Sequence, residues 1–289
     1  MLQANLLGRM SKQASRGAVA RWARAIGLAL ALLFPSSFNP VRAQTEPPAP
    51  TLTCKQPEWD TIKSWLPAGA RIELLVAASN TIPTNLWPRY KEAATAILAC
   101  AGEGAVIEVL PITDSGASIA PLLIATVPVT GANQLRSRLE REAFVKHSIA
   151  AVDTLYTTTA TFTGFDPLGT LQVAGESMHH AAPSGKLVVV MIGNGWQQTD
   201  RINLFRWHDN PAKHADEVVR QLEAEGTMPN LAGADVVVTG LTRGDPRLKM
   251  GTAEFTGLRT FWKKIVDAGH GKLVWDQAFL PGMTAPLQQ

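Results

Sequence analysis

The sequence contains little cysteine and little charge, and both shortages exclude classes of protein. Only two of its 289 residues are cysteines, too few for a disulfide-rich scaffold or a four-thiolate zinc site. Charged residues make up 18% of the chain and hydrophobic residues 46%, which is typical of a folded domain and not of a disordered chain. The 23 glycines and 19 prolines follow no period, so a collagen-like structure is also excluded.

Positive charge is scarce outside the first 43 residues. That segment holds six of the 27 lysines and arginines and none of the 24 aspartates and glutamates, so the remaining residues carry a net charge of −3. A protein that binds nucleic acid through a basic surface would keep its excess of positive charge in the folded domain. We therefore do not expect nucleic acid as a partner.

Residues 1–43 have the order of features that is typical of a secretory signal. A basic region precedes the apolar run 25–34, and small residues end the segment at Val41-Arg42-Ala43. The run is about half of the ~20 residues that a membrane-spanning helix needs, although a retained anchor or a buried core helix is the alternative. We expect cleavage after Ala43, export to the periplasm or the medium, and no membrane insertion of the cleaved chain.

The two cysteines, Cys54 and Cys100, are predicted to form a disulfide, because exported proteins fold in an oxidising compartment. Two buried free thiols are the alternative. A redox-active motif is not expected, since the sequence contains no Cys-x-x-Cys.

Apolar runs of strand length alternate with helical patterns from residue 69 to residue 280. This alternation predicts one α/β domain with a doubly wound, mostly parallel sheet and helices on both faces. One strand is predicted to be antiparallel and near an edge of the sheet, because the turn Thr113–Gly116 is too short for a parallel crossover. Residues 44–68 are predicted to be an extended leader and a short helix, and residues 281–289 a flexible tail. The predicted strands cover 72–78, 106–112, 119–129, 186–192, 234–241 and 272–275, and the longer helices 85–101, 133–155, 167–179, 211–225 and 255–266.

Three local sequences resemble landmarks of the von Willebrand factor type A (vWA) domain. That family carries D-x-S-x-S after the first strand, a Thr-Asp pair before a helix, and Ser-Asp-Gly after a long buried strand. In this chain the corresponding sequences are Ala77-Ala78-Ser79-Asn80-Thr81, Phe165-Asp166-Pro167 and Gly193-Asn194-Gly195. The resemblance implies a vWA-like fold with helices on both faces of the sheet.

In the family these landmarks form the metal-ion-dependent adhesion site, and here its chemistry is degenerate. Ala77, Phe165 and Asn194 stand where the family has Asp, Thr and Asp. Divalent cations such as Mg²⁺ need several oxygen ligands, usually including carboxylates. We therefore expect no metal and no cofactor. The alternative is Mg²⁺ or Ca²⁺ held by a rearranged set of oxygen ligands, which would be Ser79, Thr81, Asp114 and Asp166.

The same end of the sheet is the candidate partner-binding face, because ligands of open α/β sheets bind beyond the carboxyl ends of the strands. Phe165 and Trp196 either fill the space of a lost metal site or form part of a contact surface. An exposed Trp196 in the loop after a central strand is favoured, since tryptophan is a typical anchor of protein contacts. The candidate residues of this face are Ser79, Asn80, Thr81, Phe165, Asp166, Asn194, Trp196 and Arg243.

Taken together, these features predict an exported, non-enzymatic protein–protein interaction module of the cell envelope. Its partner would be another envelope or extracellular protein. The alternatives are a metal-dependent adhesion module and a hydrolase that uses polar groups on the same face. The hydrolase finds little support in the sequence, which lacks the Gly-x-Ser-x-Gly nucleophile motif.

Overall fold

The computed structural model describes Cys54 and residues 59–79, 82–116, 119–158, 164–180, 185–243 and 250–283. The predicted signal segment, Asn80, Thr81 and most of the predicted tail lie outside these residues. The helices are α1 Asp60–Trp65, α2 Trp87–Cys100, α3 Gln134–Thr158, α4 Pro167–His180, α5 Pro211–Ala224 and α6 Thr252–Ala268. The strands are β1 Arg71–Ala77, β2 Val106–Ile112, β3 Leu123–Thr126, β4 Leu187–Ile192, β5 Ala234–Thr239 and β6 Lys272–Gln277.

One six-stranded sheet with the order β3-β2-β1-β4-β5-β6 forms the centre of the fold. Every neighbouring pair is parallel except β2 and β3. The predicted doubly wound sheet with one antiparallel edge-side strand is confirmed, and β3 is one of the two edge strands. β3 covers only four residues of the predicted run 119–129, because Pro121 and Pro128 flank it and have no N–H group for the strand ladder.

The central strands are buried along almost their whole length. All six residues of β4 are buried, as are all residues of β1 after Arg71. This burial explains their uninterrupted apolar sequences, because both faces of a parallel sheet are covered by other elements. In the part of the chain that the structure describes, no helix is both long and apolar enough to cross a membrane.

The short helix α1 packs into the same core as the sheet. Ile62 and Trp65 of α1 are buried, and the Trp65 ring lies 5.6 Å from the ring of Trp275 in β6. The predicted disulfide is confirmed: Cys54 is bonded to Cys100 at the end of α2. Residues just before the predicted domain boundary at 69 therefore contribute to the core and are covalently tied to it.

A buried polar cluster lies at the amino ends of β1 and β2, where the sequence analysis expected apolar packing. The Arg71 guanidinium lies 3.0 Å from a carboxylate oxygen of Glu73 and 2.7 Å from one of Glu108. Ser177 of α4 donates its hydroxyl to the same Glu108 oxygen at 2.8 Å. Glu73 is fully buried, and its Oε2 has no hydrogen-bond partner among the described residues.

The surroundings of Glu73 change its protonation. Burial, and to a smaller extent the neighbouring Glu108, raise the pKa of Glu73 to about 8, although Arg71 opposes both effects. A carboxyl group with this pKa is mostly protonated at neutral pH. The cluster therefore balances the single charge of Arg71 without placing two full negative charges in the core.

Candidate functional site

Apolar carbon fills the space between the carboxyl ends of β1 and β4. Ala77 ends β1 and is fully buried, and Phe165 is only 1% exposed. A methyl group placed on Gly193, directly after β4, would lie 3.0 Å from Cζ of Phe165 and 3.2 Å from Cβ of Ala77. These three residues thus surround one point. The Phe165 ring packs at the position where the vWA resemblance places an oxygen ligand.

Trp196 is buried, and the expectation of an exposed ring is wrong. Its side chain has 0% exposure, it stacks on Phe205 with 5.0 Å between the ring centres, and its indole N–H donates to the Thr242 carbonyl at 2.6 Å. A buried indole with a satisfied N–H is a stable core arrangement. Of the two interpretations of Phe165 and Trp196, the geometry favours a filled core.

The loop after β4 turns inward because of Gly195. This residue has a φ of +77°, and a Cβ atom on it would lie 2.4 Å from Cδ2 of Leu241. Only glycine adopts this backbone conformation readily. The carbonyl of Gly195 accepts a hydrogen bond from the indole of Trp262 at 2.9 Å. The following residue, Trp196, is thereby directed into the core.

Asp166 uses its carboxylate for structural hydrogen bonds. Oδ2 accepts the N–H of Gly116 at 3.0 Å, and Oδ1 accepts the N–H of Gly169 in the first turn of α4 at 3.0 Å. The side-chain amide of Gln197 also donates to Oδ1, at 2.7 Å. Asp166 therefore caps α4 and connects it to the loop after β2.

Gln197 belongs to this site, although the sequence analysis did not identify it. Its side chain is 2% exposed, and its Oε1 accepts the N–H of Leu168 at 3.0 Å. The side-chain amide thus bridges Asp166 and the start of α4. Its N–H group donates to the carboxylate and its oxygen accepts a backbone N–H, so both polar ends are hydrogen-bonded. No local pattern distinguishes this glutamine from the adjacent Gln198, so no sequence signal indicated its role.

The other predicted face residues are not gathered into one surface. Ser79 and Asn194 are buried, and the Asn194 side chain accepts the backbone N–H of Trp196 at 3.1 Å. Arg243 forms an ion pair with Glu254 of α6 at 3.3 Å. Asn80 and Thr81 lie outside the described residues. Of the described candidate residues, Asp166 lines an open cleft.

The described residues do not fit the cation of the family's adhesion site. Ala77 and Phe165 contribute carbon at two ligand positions, and the Asp166 carboxylate already accepts three hydrogen bonds. Nowhere in the described ranges do three His, Cys, Asp or Glu side chains form a group that could hold a metal ion. A divalent cation prefers several charged or carbonyl oxygens, which this arrangement does not offer.

An open polar cleft of about 810 Å³ lies beside the filled site. Asp114, Asp166 and Asp200 contribute three carboxylates to its lining, whereas its arginine, Arg201, is ion-paired with Glu225. The cleft runs from the loop after β2, past the start of α4, to the end of α5. Its lining consists of Asp114, Ser115, Gly164, Asp166, Leu168, Gly169, Gln172, Gln197, Gln198, Thr199, Asp200, Arg201, Ile202, Asn203, Leu222 and Thr227.

Two buried polar atoms at the cleft have no partner among the described residues. They are Oδ1 of Asn203 and Oγ1 of Thr227. A buried polar atom without a hydrogen bond costs free energy. Because both atoms are covered, they are a cost to the fold beside the cleft and not part of its exposed surface.

Comparison with known proteins gives similarity only at the level of fold. No protein-family model and no curated protein matches the sequence. Among solved structures, a von Willebrand factor type A protein from Catenulispora acidiphila is 17% identical with a TM-score of 0.40, over 72% of this chain and 38% of that one. The manganese-loaded TRAP protein of Plasmodium vivax is 14% identical with a TM-score of 0.33, over 62% and 59%.

The pilus adhesin SpaC of Lactobacillus rhamnosus GG is also similar, at 10% identity and a TM-score of 0.39, over 74% of this chain and 28% of the adhesin. The chain thus spans less than two thirds of each of these proteins. The six-stranded sheet, with β3 alone antiparallel, agrees with the mostly parallel vWA-like sheet that the sequence predicted. The chain has a von Willebrand factor type A-like fold.

Proposed function

We propose that this chain is an exported, non-enzymatic protein–protein interaction module of the cell envelope that works without a bound cation. The observation that carries the proposal is the contrast at the carboxyl ends of the strands. Phe165 fills the position of a family ligand, while the acidic cleft beside it is open. The contact would therefore use polar groups of the protein itself in place of a bridging metal ion.

The composition of the cleft supports a protein segment as its ligand. Small-molecule sites are usually enclosed pockets with a few convergent polar groups, whereas this cleft is open and most of its lining residues carry a carboxylate, amide or hydroxyl group. Asp114 and Asp200 would attract lysine or arginine side chains of a partner.

The positions of the perturbed titratable groups support a non-enzymatic role. Catalytic sites commonly contain groups with strongly shifted pKa values. The largest upward pKa shifts in the described chain belong to Glu73, Tyr90 and Tyr156, each caused mainly by burial. None of these residues lines the cleft.

The disulfide and the amino-terminal sequence support export. Disulfides persist in oxidising compartments and are rare in the cytosol, and Cys54 and Cys100 form one. Residues 1–43 have the composition of a secretory signal. An envelope or extracellular protein is then the partner that the chain would encounter.

Site-specific photo-cross-linking in cells that produce the chain tests this proposal. A photoreactive residue in place of Asp200, which is exposed at the cleft, should cross-link to one particular second protein in the envelope or secreted fraction. The matched control is Lys272, which is exposed at the start of the outermost strand β6. It should give no such product.

A charge-reversal variant adds specificity to this test. Asp114→Arg should reduce the cross-linked product from position 200 by roughly tenfold or more, the effect of losing about 1.4 kcal/mol of binding energy. Equal cross-linking from positions 200 and 272 would contradict a cleft-based contact. Finding the chain only in the cytoplasm would contradict export.

A further inference from the structure

Exposed apolar side chains are concentrated in one short part of the chain. Within the described ranges, every large hydrophobic residue that is exposed lies between positions 122 and 139. These residues are Leu122, Ile124, Val129, Leu135 and Leu139, with exposed fractions of 38%, 61%, 65%, 59% and 53%. Single exposed apolar residues are ordinary, and those that are neighbours in space can form a contact surface.

The first two turns of α3 carry the last two of these residues on one side of the helix. Leu135 and Leu139 are four residues apart and therefore neighbours on the helix surface. Over 134–140 every residue except Ser137 is exposed, so no other element of the described chain covers this part of α3. A helix that is packed against a core on one side would bury its leucines there.

Hydrogen bonds hold this part of α3 in a defined helical conformation. The Asn133 side chain accepts the N–H of Arg136 at 3.0 Å, and the Ser137 hydroxyl accepts the N–H of Gly131 at 2.9 Å. One turn later, Arg141 donates to the carbonyl of Ala99 at the end of α2 at 2.9 Å. The two leucines are thus presented on a fixed support.

The charges around Leu139 are arranged with opposite signs on its two sides. Arg136 and Arg138 precede it, and Glu140 and Glu142 follow it. All four lie in i,i+4 ion pairs along the helix, Arg136 with Glu140 at 2.7 Å and Arg138 with Glu142 at 3.8 Å. If two such helices cross antiparallel at Leu139, Arg136 lies near the partner's Glu140 on one side of the contact, and Arg138 lies near the partner's Glu142 on the other side.

We propose that this surface binds a second copy of the same chain through an antiparallel pair of α3 helices centred on Leu139. The charge order is complementary to its own inverted copy, as a symmetric contact between identical surfaces requires. The four leucines would form the apolar centre and the arginine–glutamate pairs its border. Two helical turns from each copy bury little area, so the dimer should be weak. This inference does not depend on the cleft.

Sedimentation equilibrium of the purified, disulfide-bonded chain tests the proposal across micromolar to millimolar concentrations. We expect a monomer–dimer equilibrium, with Leu139→Gln raising the dimer dissociation constant about tenfold or more. Ile124→Gln is the matched control, since it also replaces an exposed apolar residue but lies on β3. It should leave the dissociation constant within about twofold of the original.

A charge exchange tests the antiparallel register directly. Arg138→Glu places like charges opposite each other twice in a symmetric dimer and should weaken it about tenfold. Adding Glu142→Arg restores opposite charges, both across the contact and in the i,i+4 pair within each helix, and should recover most of the loss. Because both side chains lie at the helix surface, Arg138 exposed and Glu142 partly exposed, circular dichroism should show an unchanged fold in each variant.

Three results would overturn the proposal. The chain could remain monomeric at every concentration. Ile124→Gln could weaken the dimer while Leu139→Gln does not, which would place the contact at the free edge of β3. Arg138→Glu with Glu142→Arg could also fail to recover the loss, which would exclude the register centred on Leu139.

Discussion

The two ends of β1 show opposite chemistry. At its amino end, Arg71 and Glu73 form a buried ionic cluster with Glu108 of β2. At its carboxyl end, where the vWA resemblance implies carboxylate and hydroxyl ligands, Ala77 packs against the ring of Phe165. The carboxylates of this part of the sheet are therefore structural at one end and replaced by carbon at the other.

This difference separates the stability of the sheet from the function of the face. An apolar filling stabilises by burial and packing, which depend little on pH or dissolved ions. An ionic cluster in the core stabilises only in a particular protonation state. The two ends of the same strand should therefore respond differently to substitution, to pH and to metal ions.

Replacement of Trp196 by alanine should produce the largest effect. The substitution leaves a cavity under Phe205 and removes the hydrogen bond to Thr242, so we expect a loss of about 3–5 kcal/mol in the free energy of unfolding. Chemical denaturation measures it. The matched control Trp207→Ala removes a half-buried ring that stacks on His214 and should cost about 1 kcal/mol. Equal losses in the two variants would show that Trp196 is not a core residue.

The ionic end should make stability depend on pH. Because the pKa of Glu73 is raised from 4.5 to about 8, the folded state holds a proton that the unfolded state has released in this range. Its stabilising contribution is complete below about pH 4.5 and is lost as the pH rises through about 8. The expected slope is a loss of at most about 1.4 kcal/mol per pH unit.

Glu73→Gln should remove this slope, because the amide has no proton to release. Urea denaturation at several pH values between 5 and 8 compares the variant with the unmodified chain. The exposed glutamate Glu223 on α5 provides the control substitution Glu223→Gln. An unchanged slope in Glu73→Gln would assign the pH dependence to another group.

The sequence predicted the sheet well because its signals are local. β4 and β5 are uninterrupted apolar runs, and the turn Thr113–Gly116 allowed only an antiparallel return. The disulfide was predicted from the number of cysteines and the expected compartment. The predicted edge strand, residues 119–129, was too long at both ends, because Pro121 and Pro128 limit pairing to the four residues of β3.

The direction of the Trp196 side chain could not be predicted from its sequence position. It depends on the positive φ of Gly195 and on acceptors that come from distant parts of the chain, such as Thr242. The same is true of Gln197, whose partners Asp166 and Leu168 lie about thirty residues away. Long-range contacts of this kind leave no mark on the local pattern.

The ionic cluster was missed for a related reason. Glu73 and Glu108 stand at the same level of adjacent strands, but the sequence does not reveal the register that aligns them. It also does not reveal that Ser177 of α4 completes the cluster. Two glutamates within apolar strands are nevertheless a usable signal, since buried carboxylates almost always have partners.

The central claim is that Ala77 and Phe165 have replaced the cation of the vWA site. Metal titration tests this claim most directly. Thermal unfolding is measured with millimolar Mg²⁺, Mn²⁺ or Ca²⁺ at constant ionic strength. We predict no change in the melting temperature with any of the three ions. A cation at 100 times its dissociation constant would add about 2.7 kcal/mol, which raises the melting temperature of a domain of this size by roughly 5–10 °C. Such a rise, abolished by Asp166→Ala or Asp114→Ala, would contradict the account and favour a rearranged metal-dependent adhesion site.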